Sequence, residues 1–218
     1  MSLALFDLDN TLIAGDSDHL WGDFLVAEGL VDPDKHKALN EHYYQQYQRG
    51  QLDIDEYLSF ALGPMAGMTP ETLSSLQDKF LKKHVEPILL DAAFDLLQAH
   101  RVKGDTLIII TATNTLVTQP IANRLGVEHL IGCEAELKDG QYTGRPEGVP
   151  SFGEGKVQRI KAWCVEHQTS FEGAVFYSDS HNDLPLLREV AQAIAVDPDD
   201  LLRKEAQQCG WEIISLRS

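Results

Sequence analysis

Two aspartates stand two residues apart where the first apolar segment of the chain ends. Asp7 and Asp9 lie in the sequence FDLDNT, directly after the apolar residues 3–6. Side chains two residues apart on a strand point to the same side, so both carboxylates can face one site. With a bound metal ion, one carboxylate can attack phosphorus while the other transfers protons. A strand-ending turn is the alternative, but the apolar strand before the pair favours the catalytic interpretation.

A second polar group closes the most apolar segment of the chain. Residues 106–110 read TLIII and are followed by Thr111, Ala112, Thr113 and Asn114. A hydroxyl at a strand end and free N–H groups at the start of the next helix can bind phosphoryl oxygens. This pattern predicts a phosphate-binding role for Thr111 and Ala112. Taken alone, the segment is equally well explained by a helix N-cap at Thr113 or Asn114.

Lys156 begins a predicted helix after the glycine-containing residues 151–155. A cation at a helix N-terminus opposes the helix dipole, so its position requires an explanation. Neutralising the charge of a transferred phosphoryl group is one explanation, and a solvated lysine is the alternative. The segment is not a P-loop, because Pro150 replaces the first glycine of that motif and Val157 replaces its Ser or Thr.

Acidic residues also follow the apolar residues 174–177, in the sequence SDSHND. Asp179, at the end of this predicted strand, can coordinate a hard cation through oxygen. Mg²⁺ usually takes one or two carboxylates and keeps several waters, so Asp7 and Asp179 are sufficient in number. Asp183 can support such a site or act as the N-cap of the next helix, and Asn182 lies beside it.

The segments that position these groups alternate between short apolar runs and amphipathic stretches. The apolar runs predict strands at 3–8, 106–110, 174–177, 193–196 and 211–216. The amphipathic stretches predict helices at 115–125, 156–167, 183–191 and 199–208. Residues 134–144 predict a hairpin with Asp139-Gly140 as a type I′ turn. This alternation predicts an α/β fold, with a three-layer, Rossmann-like core around a central parallel sheet.

Residues 16–86 interrupt the alternation and contain no convincing strand pattern. Helices are predicted there at 18–29, 33–49, 53–63 and 70–84, with starts at Asp18, Asp53 and Thr69-Pro70. The sequence therefore predicts a discontinuous α/β core domain of residues 1–15 and 87–218. A helical cap domain of residues 16–86 is expected to follow the first strand.

The composition restricts the partners and the compartment. A formal net charge of −16 argues against nucleic acid or an anionic membrane as a partner. No apolar run approaches the roughly 20 residues that span a bilayer. The N-terminus lacks the basic segment of a signal peptide. Because Cys133, Cys164 and Cys209 form no CxxC pair, we expect reduced thiols in a cytoplasmic protein.

Taken in order, the four polar groups resemble the motif set of the haloacid dehalogenase-like hydrolase superfamily over essentially the whole chain. The first motif, DxDx[TV], matches Asp7 to Thr11, and the hydroxyl motif matches Thr111. The lysine motif matches Lys156, and the paired-acid motif, in its DxxxD form, matches Asp179 and Asp183. The helical insertion after the first motif resembles the C1 cap of the phosphoserine phosphatase-like branch, subfamily IB. Each motif alone is a weak to moderate signal, whereas the ordered set is specific.

The resemblance implies a Mg²⁺-dependent phosphatase that works through an aspartyl-phosphate. Asp7 would attack phosphorus, and Asp9 would protonate the leaving alkoxide and then activate water. Thr111 and Lys156 would hold phosphoryl oxygens, in a reaction where positioning and charge neutralisation dominate. The metal site would consist of the carboxylates of Asp7 and Asp179 and the main-chain carbonyl of Asp9, supported by Asp183 and Asn182.

The substrate prediction depends on the insertion. In phosphoserine phosphatases an acidic residue nine positions after the nucleophile faces the substrate amine, which implies Asp16 here. Those enzymes also bind the substrate carboxylate through a cap arginine. The corresponding residues 55–62 contain none, and the only arginine of the insertion is Arg49. An amine-bearing phosphate ester without a carboxylate fits better, and the chain resembles the histidinol-phosphatase-like members of the branch. A turn or N-cap role is the alternative for Asp16.

Other functions stay open from the sequence. One is a phosphoserine phosphatase, and another is a phosphotransferase that passes the phosphoryl group to a second metabolite. A receiver-like phospho-accepting module also combines Asp, Thr and Lys, but receivers are much shorter and carry no helical insertion after the first strand. The expected partner is a small-molecule phosphate ester, and the expected assembly is a monomer or a homodimer.

Overall fold

A seven-stranded sheet forms the centre of the protein in the computed structural model, which describes residues 2–217. The strands are β1 Leu3–Phe6, β2 Thr106–Asn114, β3 His129–Lys138, β4 Gln141–Glu147, β5 Val175–Ser178, β6 Gln192–Val196 and β7 Glu212–Ile214. Their spatial order is β4-β3-β2-β1-β5-β6-β7. Neighbouring strands are parallel except β3 and β4, which form an antiparallel hairpin. The predicted α/β fold is confirmed.

Helices cover both faces of the sheet. Their bounds are α1 Ser17–Ala27, α2 Pro33–Gln48, α3 Ile54–Leu62, α4 Pro70–Phe80, α5 Asp91–Lys103, α6 Thr115–Leu125, α7 Glu154–Glu166, α8 Leu184–Leu187 and α9 Asp200–Cys209. Alternate residues of β1 belong to two separate cores. Ala4 and Phe6 pack with residues of α5 and α6, whereas Leu3 and Leu5 pack with residues of α7 and α9. Because side chains alternate across a strand, both faces are buried and three layers result.

The largest differences from the sequence prediction concern three elements. Helix α5 and the first, parallel half of β3 were not predicted. The helix predicted at 183–191 is only the short α8, because β6 already begins at Gln192 and the chain must turn before it. The predicted hairpin turn is present, since Asp139 and Gly140 have φ of 52° and 79°, the left-handed values that a type I′ turn requires.

Helices α1 to α4 occupy most of residues 16–86, which we call the helical insertion. Asp53 and Thr69 cap α3 and α4 as predicted. Helix α1 begins at Ser17, one residue earlier than predicted, and its N-cap is Asp16 and not Asp18. No helix in residues 2–217 combines the length and the apolar composition needed to cross a bilayer.

The helical insertion packs onto one face of the sheet through aromatic side chains. Trp21, Phe24 and Phe80 are buried, and the rings of Trp21 and Phe80 meet edge to face at 5.1 Å. These residues belong to the same core cluster as Phe6 of β1. Because the insertion and the sheet share this cluster, the division into a core domain and a cap domain stays a prediction.

Candidate active site

Three neighbouring strands bring the predicted site residues together. Strand β1 lies between β2 and β5. Asp7 directly follows β1, Asp179 directly follows β5, and Thr111 lies in the last part of β2. The N–H of Asp7 donates to the carbonyl of Tyr177 at 2.8 Å, which extends the β1–β5 ladder to the nucleophile position. Because parallel strands end at one edge, residues distant in sequence meet there.

Lys156 is buried between two of the predicted carboxylates. Its Nζ donates to Oδ1 of Asp7 at 2.8 Å and lies 2.7 and 2.8 Å from the two carboxylate oxygens of Asp183. Burial alone would lower the pKa of Lys156, but the charges of Asp183 and Asp7 raise that pKa above its usual value. The lysine therefore stays charged, and the alternative of a solvated lysine is wrong. Asp183 also accepts from Ser178 Oγ at 2.7 Å, and it stands at the N-cap position of α8 without a capping hydrogen bond from its side chain.

Asp9 is held by the start of α1 and by the end of β2. Its Oδ1 accepts the N–H of Ser17 at 2.6 Å, and its Oδ2 accepts the hydroxyl of Thr113 at 2.8 Å, with Thr111 Oγ1 at 3.5 Å. Burial and the charge of Asp16 raise the pKa of Asp9 to about 6, although the hydrogen bonds lower it. A carboxyl with a pKa near the working pH can both give and take a proton.

The segment predicted to bind phosphate, Thr111-Ala112, lies beside Asp9. Thr113 donates its N–H to Thr111 Oγ1 at 3.1 Å. Asn114 caps α6 through the N–H of Val117. Of the two N-cap candidates, Asn114 is the cap, and the Thr113 side chain binds Asp9. The phosphate-binding role of Thr111 and Ala112 stays a prediction.

Asp179 is tied to the first motif through Thr11. Thr11 Oγ1 donates to Asp179 Oδ1 at 3.2 Å and accepts the Asp179 N–H at 3.1 Å. Burial, together with the charges of Asp7 and Asp183, raises the pKa of Asp179 well above its usual range. This carboxylate therefore lies in a site where an added cation is strongly favoured.

The chemistry of this cluster fits a magnesium ion. Burial raises the pKa of Asp7 to about 7 even though Lys156 lowers it, so the buried negative charge exceeds what one lysine compensates. Within residues 2–217, no three His, Cys, Asp or Glu side chains form a closed metal cage. Mg²⁺ needs no such cage, since it takes one or two carboxylates and keeps several waters. The carboxylates of Asp7 and Asp179 and the carbonyl of Asp9 are the groups that would hold it.

Asn182 joins the sheet edge to the helical insertion. Its Nδ2 donates to the carbonyl of Tyr47 at 3.1 Å, and the Tyr47 hydroxyl donates to Ser180 Oγ at 3.3 Å. Asn182 was predicted to support the metal site. In the structure it anchors the last turn of α2 beside the site, and its support of a metal site stays a prediction.

A pocket lies between the sheet edge and the helical insertion. It encloses about 540 Å³ of space not filled by atoms, part of it open to solvent. In the described chain, its lining contains no lysine or arginine and is rich in carboxylates and phenols: Asp7, Asp9, Asp16, Asp18, Tyr43, Tyr44, Tyr47 and Tyr57. Arg49, the arginine of the insertion, does not line it. Away from the phosphate end, the pocket therefore favours cations over anions.

Asp16 is an N-cap and also lines the pocket, while its role toward a substrate amine stays a prediction. Its Oδ1 accepts the N–H of His19 at 2.8 Å, which makes it the N-cap of α1. The same residue lines the pocket. Burial raises the pKa of its carboxyl.

Asp18 and Tyr57 line the pocket, and the sequence did not identify either as a site residue. The Tyr57 hydroxyl donates to Asp18 Oδ2 at 2.7 Å, and Asn114 Nδ2 lies 3.4 Å from Asp18 Oδ1. Burial raises the pKa of Asp18 to about 7. A weak sequence signal existed for Tyr57, which stands within the stretch 55–62 where an arginine is expected in phosphoserine phosphatases.

The difference in free energy of unfolding between the variant Asp18→Asn and the wild type will shift in favour of the variant as the pH rises. Because the native pKa of about 7 exceeds the unfolded value of 3.8, the native state binds an extra proton between these values. The free energy of unfolding of the wild type therefore falls as the pH rises through this window, whereas Asn does not titrate. The difference should shift in favour of the variant by at most about 1.4 kcal/mol per pH unit. Urea denaturation of both proteins at about pH 5 and about pH 7 measures this difference. If the difference were the same at both pH values, the raised pKa of Asp18 would be contradicted.

A mostly parallel sheet with clustered carboxylates and a buried lysine at its carboxyl edge is the arrangement of a Rossmann-like α/β enzyme. The chain matches the sequence model of the haloacid dehalogenase-like hydrolase family over residues 4–188, and it belongs to that family. The predicted family is confirmed.

Several relatives share most of this chain. It is 41% identical over 220 residues to the histidinol-phosphatase of Neisseria meningitidis serogroup C, covering 99% of each chain. It is 31% identical to a phosphoserine phosphatase of Mycobacterium tuberculosis, covering 98% of this chain and 70% of that protein. A crystal structure from Bordetella pertussis Tohama I, of a protein with unknown function, is similar with a TM-score of 0.92 and 42% identity over 99% and 98% of the two chains. These names agree with the predicted enzyme class, phosphoric monoester hydrolase.

Proposed function

We propose that the protein is a Mg²⁺-dependent phosphomonoesterase that forms an aspartyl-phosphate on Asp7 and acts on histidinol phosphate. The pocket carries this proposal. One end holds Asp7 beside the cation Lys156, and the remainder is lined by carboxylates and tyrosines. A substrate that is an anion at one end and a cation at the other fits this distribution of charge.

The reaction begins with attack of an Asp7 carboxylate oxygen on phosphorus, opposite the leaving alkoxide. Lys156 and the segment Thr111-Ala112 hold the phosphoryl oxygens, and Mg²⁺, when bound, neutralises part of their charge. Asp9 gives its proton to the alkoxide, so that a neutral alcohol leaves. The Asp9 carboxylate then takes a proton from water, whose oxygen attacks the phosphorus of the aspartyl-phosphate. Inorganic phosphate leaves and the Asp7 carboxylate is regenerated.

The geometry around Asp9 supports its proton-transfer role. Its carboxylate is fixed by the Ser17 N–H and the Thr113 hydroxyl, neither of which carries a charge. Asp7, in contrast, is paired with Lys156, which lowers the pKa that burial raises to about 7, and a bound Mg²⁺ would lower that pKa further and so favour the ionised, nucleophilic form. Two carboxyls in different environments can divide the roles of nucleophile and acid in this way.

Two observations favour histidinol phosphate as the substrate. The pocket offers Asp16 and Asp18 to a protonated amine and, within the described chain, no lining lysine or arginine to a carboxylate. In addition, the Neisseria relative, which matches over nearly its whole length, is named a histidinol-phosphatase. Phosphoserine phosphatase is the second candidate, because of the Mycobacterium relative, but its substrate carries a carboxylate.

Histidinol phosphate will be hydrolysed with a kcat/KM at least about 100-fold above that of phosphoserine. The carboxylate of phosphoserine would enter a pocket lined by Asp16 and Asp18, which within the described chain offers it no lysine or arginine and only the imidazole of His19. A buried charge without a partner is strongly disfavoured. The measurement is Mg²⁺-dependent release of inorganic phosphate at equal enzyme concentration.

Ethanolamine phosphate is the control substrate, because it has the amine but neither the carboxylate nor the ring. It should be hydrolysed at least as well as phosphoserine. A higher kcat/KM for phosphoserine than for histidinol phosphate would overturn the substrate assignment.

A phosphotransferase would form the same aspartyl-phosphate and pass its phosphoryl group to an alcohol instead of water. Reactions with an added acceptor alcohol separate the two activities. A hydrolase releases one inorganic phosphate for each substrate alcohol, whereas a transferase releases less phosphate than alcohol. Sustained turnover of either kind excludes a receiver-like module.

A further inference from the structure

Asp18 differs from the other carboxylates of the pocket in the hydrogen-bond partners that the protein gives it. Its side chain is buried, with 7% of the residue exposed. One short hydrogen bond reaches it, from the Tyr57 hydroxyl at 2.7 Å, and the amide of Asn114 lies at the long distance of 3.4 Å. An ionised carboxylate has about four acceptor positions. Asp18 therefore keeps acceptor capacity, and the residue lines the pocket.

Asp18 also lacks a cation such as the one that pairs with Asp7 and Asp183. Asp7 and Asp183 share the ammonium of Lys156, whereas the groups that contact Asp18 are a neutral phenol and a neutral amide. Buried carboxylates are costly unless they are paired or hydrogen-bonded. A positively charged group or an N–H donor of a ligand would supply the cation or hydrogen bond that the protein does not provide to Asp18.

The two acidic residues at the start of α1 occupy different parts of the pocket environment. Asp16 accepts the N–H of His19 in its own helix, whereas Asp18 contacts Tyr57 of α3 and Asn114 of β2. Near Asp18 the pocket wall is aromatic, since the rings of Tyr43 and Tyr57 meet at 5.4 Å. A carboxylate beside aromatic side chains suits a flat ring that carries an N–H group.

We propose that Asp18, held by Tyr57, determines specificity by accepting a hydrogen bond from a second nitrogen donor of the leaving alcohol. The substrate class is then a phosphate monoester whose alcohol carries a primary amine and, separately, an N–H on a flat heterocycle. Asp16 binds the amine, and Asp18 binds the ring. This inference rests on the proposed function, because it concerns the leaving group of the phosphatase reaction.

A purely structural role for Asp18 makes a different prediction. Tyr57, Asp18 and Asn114 lie on α3, α1 and β2, so their contacts also tie the helical insertion to the sheet. If Asp18 served only this purpose, its replacement would impair every substrate by the same factor. If Asp18 recognises a ring N–H, its replacement will change the ratio of the kcat/KM values for substrates with and without that group.

The test compares histidinol phosphate with phenylalaninol phosphate, which keeps the amine and the phosphate but has a ring without nitrogen. We expect the wild type to prefer histidinol phosphate in kcat/KM by about 10- to 100-fold. In Asp18→Asn the preference should fall to about 3-fold or less, through a loss on histidinol phosphate. In Asp16→Asn, the matched control, both esters should lose similar factors. The variant Tyr57→Phe should lose part of the preference, and Tm values establish that all variants are folded.

The outcomes separate this inference from the function on which it rests. If the wild type hydrolyses both amine esters equally, or if Asp18→Asn slows both by the same factor, the role of Asp18 is overturned and the phosphatase proposal stands. If the wild type hydrolyses neither ester in the presence of Mg²⁺, both proposals are overturned. Turnover of p-nitrophenyl phosphate, which has no nitrogen donor on its ring, reports whether the reacting centre itself is intact in each variant.

Discussion

Asp7→Asn will abolish Mg²⁺-dependent phosphate release, with a loss in kcat of at least about 10⁴-fold. The carboxamide is a far weaker nucleophile than the carboxylate, and it cannot form the aspartyl-phosphate that water later hydrolyses. The substitution also removes one of the two side-chain oxygens expected to bind Mg²⁺. The measurement is release of inorganic phosphate from histidinol phosphate, with p-nitrophenyl phosphate as a second substrate.

The fold of Asp7→Asn should stay intact. Asn is close to Asp in volume and keeps an oxygen that can accept the hydrogen bond of Lys156, now 2.8 Å from Asp7 Oδ1. The substitution removes one negative charge from a buried, mutually repelling group, so Tm should not fall. Asp23→Asn, at an exposed position of α1, is the control and should leave both activity and Tm unchanged. Residual activity above about 1% of the wild type would contradict Asp7 as the nucleophile.

The strands that carry the site could be predicted from the sequence because of where they lie in the sheet. β1, β2 and β5 are central strands with helices on both faces, so each appears in the sequence as an unbroken apolar run. The runs end where the chain reaches the carboxyl edge and becomes polar. Asp7, Thr111 and Asp179 stand at these ends, and the shared edge brings them together.

Other elements have weaker local signals. Helix α5 begins after Leu90, which offers no side chain to cap its N-terminus, so the usual start signal is missing. The first half of β3 contains His129 and Gly132 and pairs with β2 for only a few residues. Because His129 and Gly132 flank only two large apolar residues, this short stretch lacks the longer apolar run that a buried parallel strand usually shows.

The contacts of Asp18 could not be predicted, because they join segments that are distant in sequence. Asp18 contacts Tyr57 across 39 positions and Asn114 across 96 positions. Local patterns show Asp18 only as an acidic residue near a helix start, where such residues are common. Whether its carboxylate faces solvent or a pocket is decided by how the helical insertion packs on the sheet.

The role of Lys156 could be predicted only in part. Its position at the start of a helix indicated that a compensating interaction was needed, but not which residues provide it. The partners are Asp7, 149 positions away, and Asp183, 27 positions away, and both are buried with it. The lysine thus compensates charges from two separate strand ends, and its removal tests the electrostatics of the whole site.

Lys156→Met will lower both the stability of the protein and the rate of phosphate release. Without the ammonium group, Asp7 and Asp183 remain buried with no cation between them, and breaking a buried ion pair in this way costs about 3–5 kcal/mol. Removal of the charge that contacts the phosphoryl oxygens should lower kcat by about 10²–10³-fold. Urea denaturation without metal and phosphate release with Mg²⁺ measure the two effects. Added Mg²⁺ should reduce the loss of stability, because the ion supplies positive charge to the same carboxylates.

Lys161→Met, on the same helix α7, is the matched control. Its Nζ lies 3.0 Å from Glu189, but the two side chains are 52% and 46% exposed. Exposed pairs of this kind contribute at most about 1 kcal/mol, because water already solvates both charges. Lys161→Met should therefore change stability little and leave phosphate release unchanged. Equal losses in the two variants would mean that the buried pair contributes no more than the exposed one, which would contradict Lys156 as the counter-ion of the site.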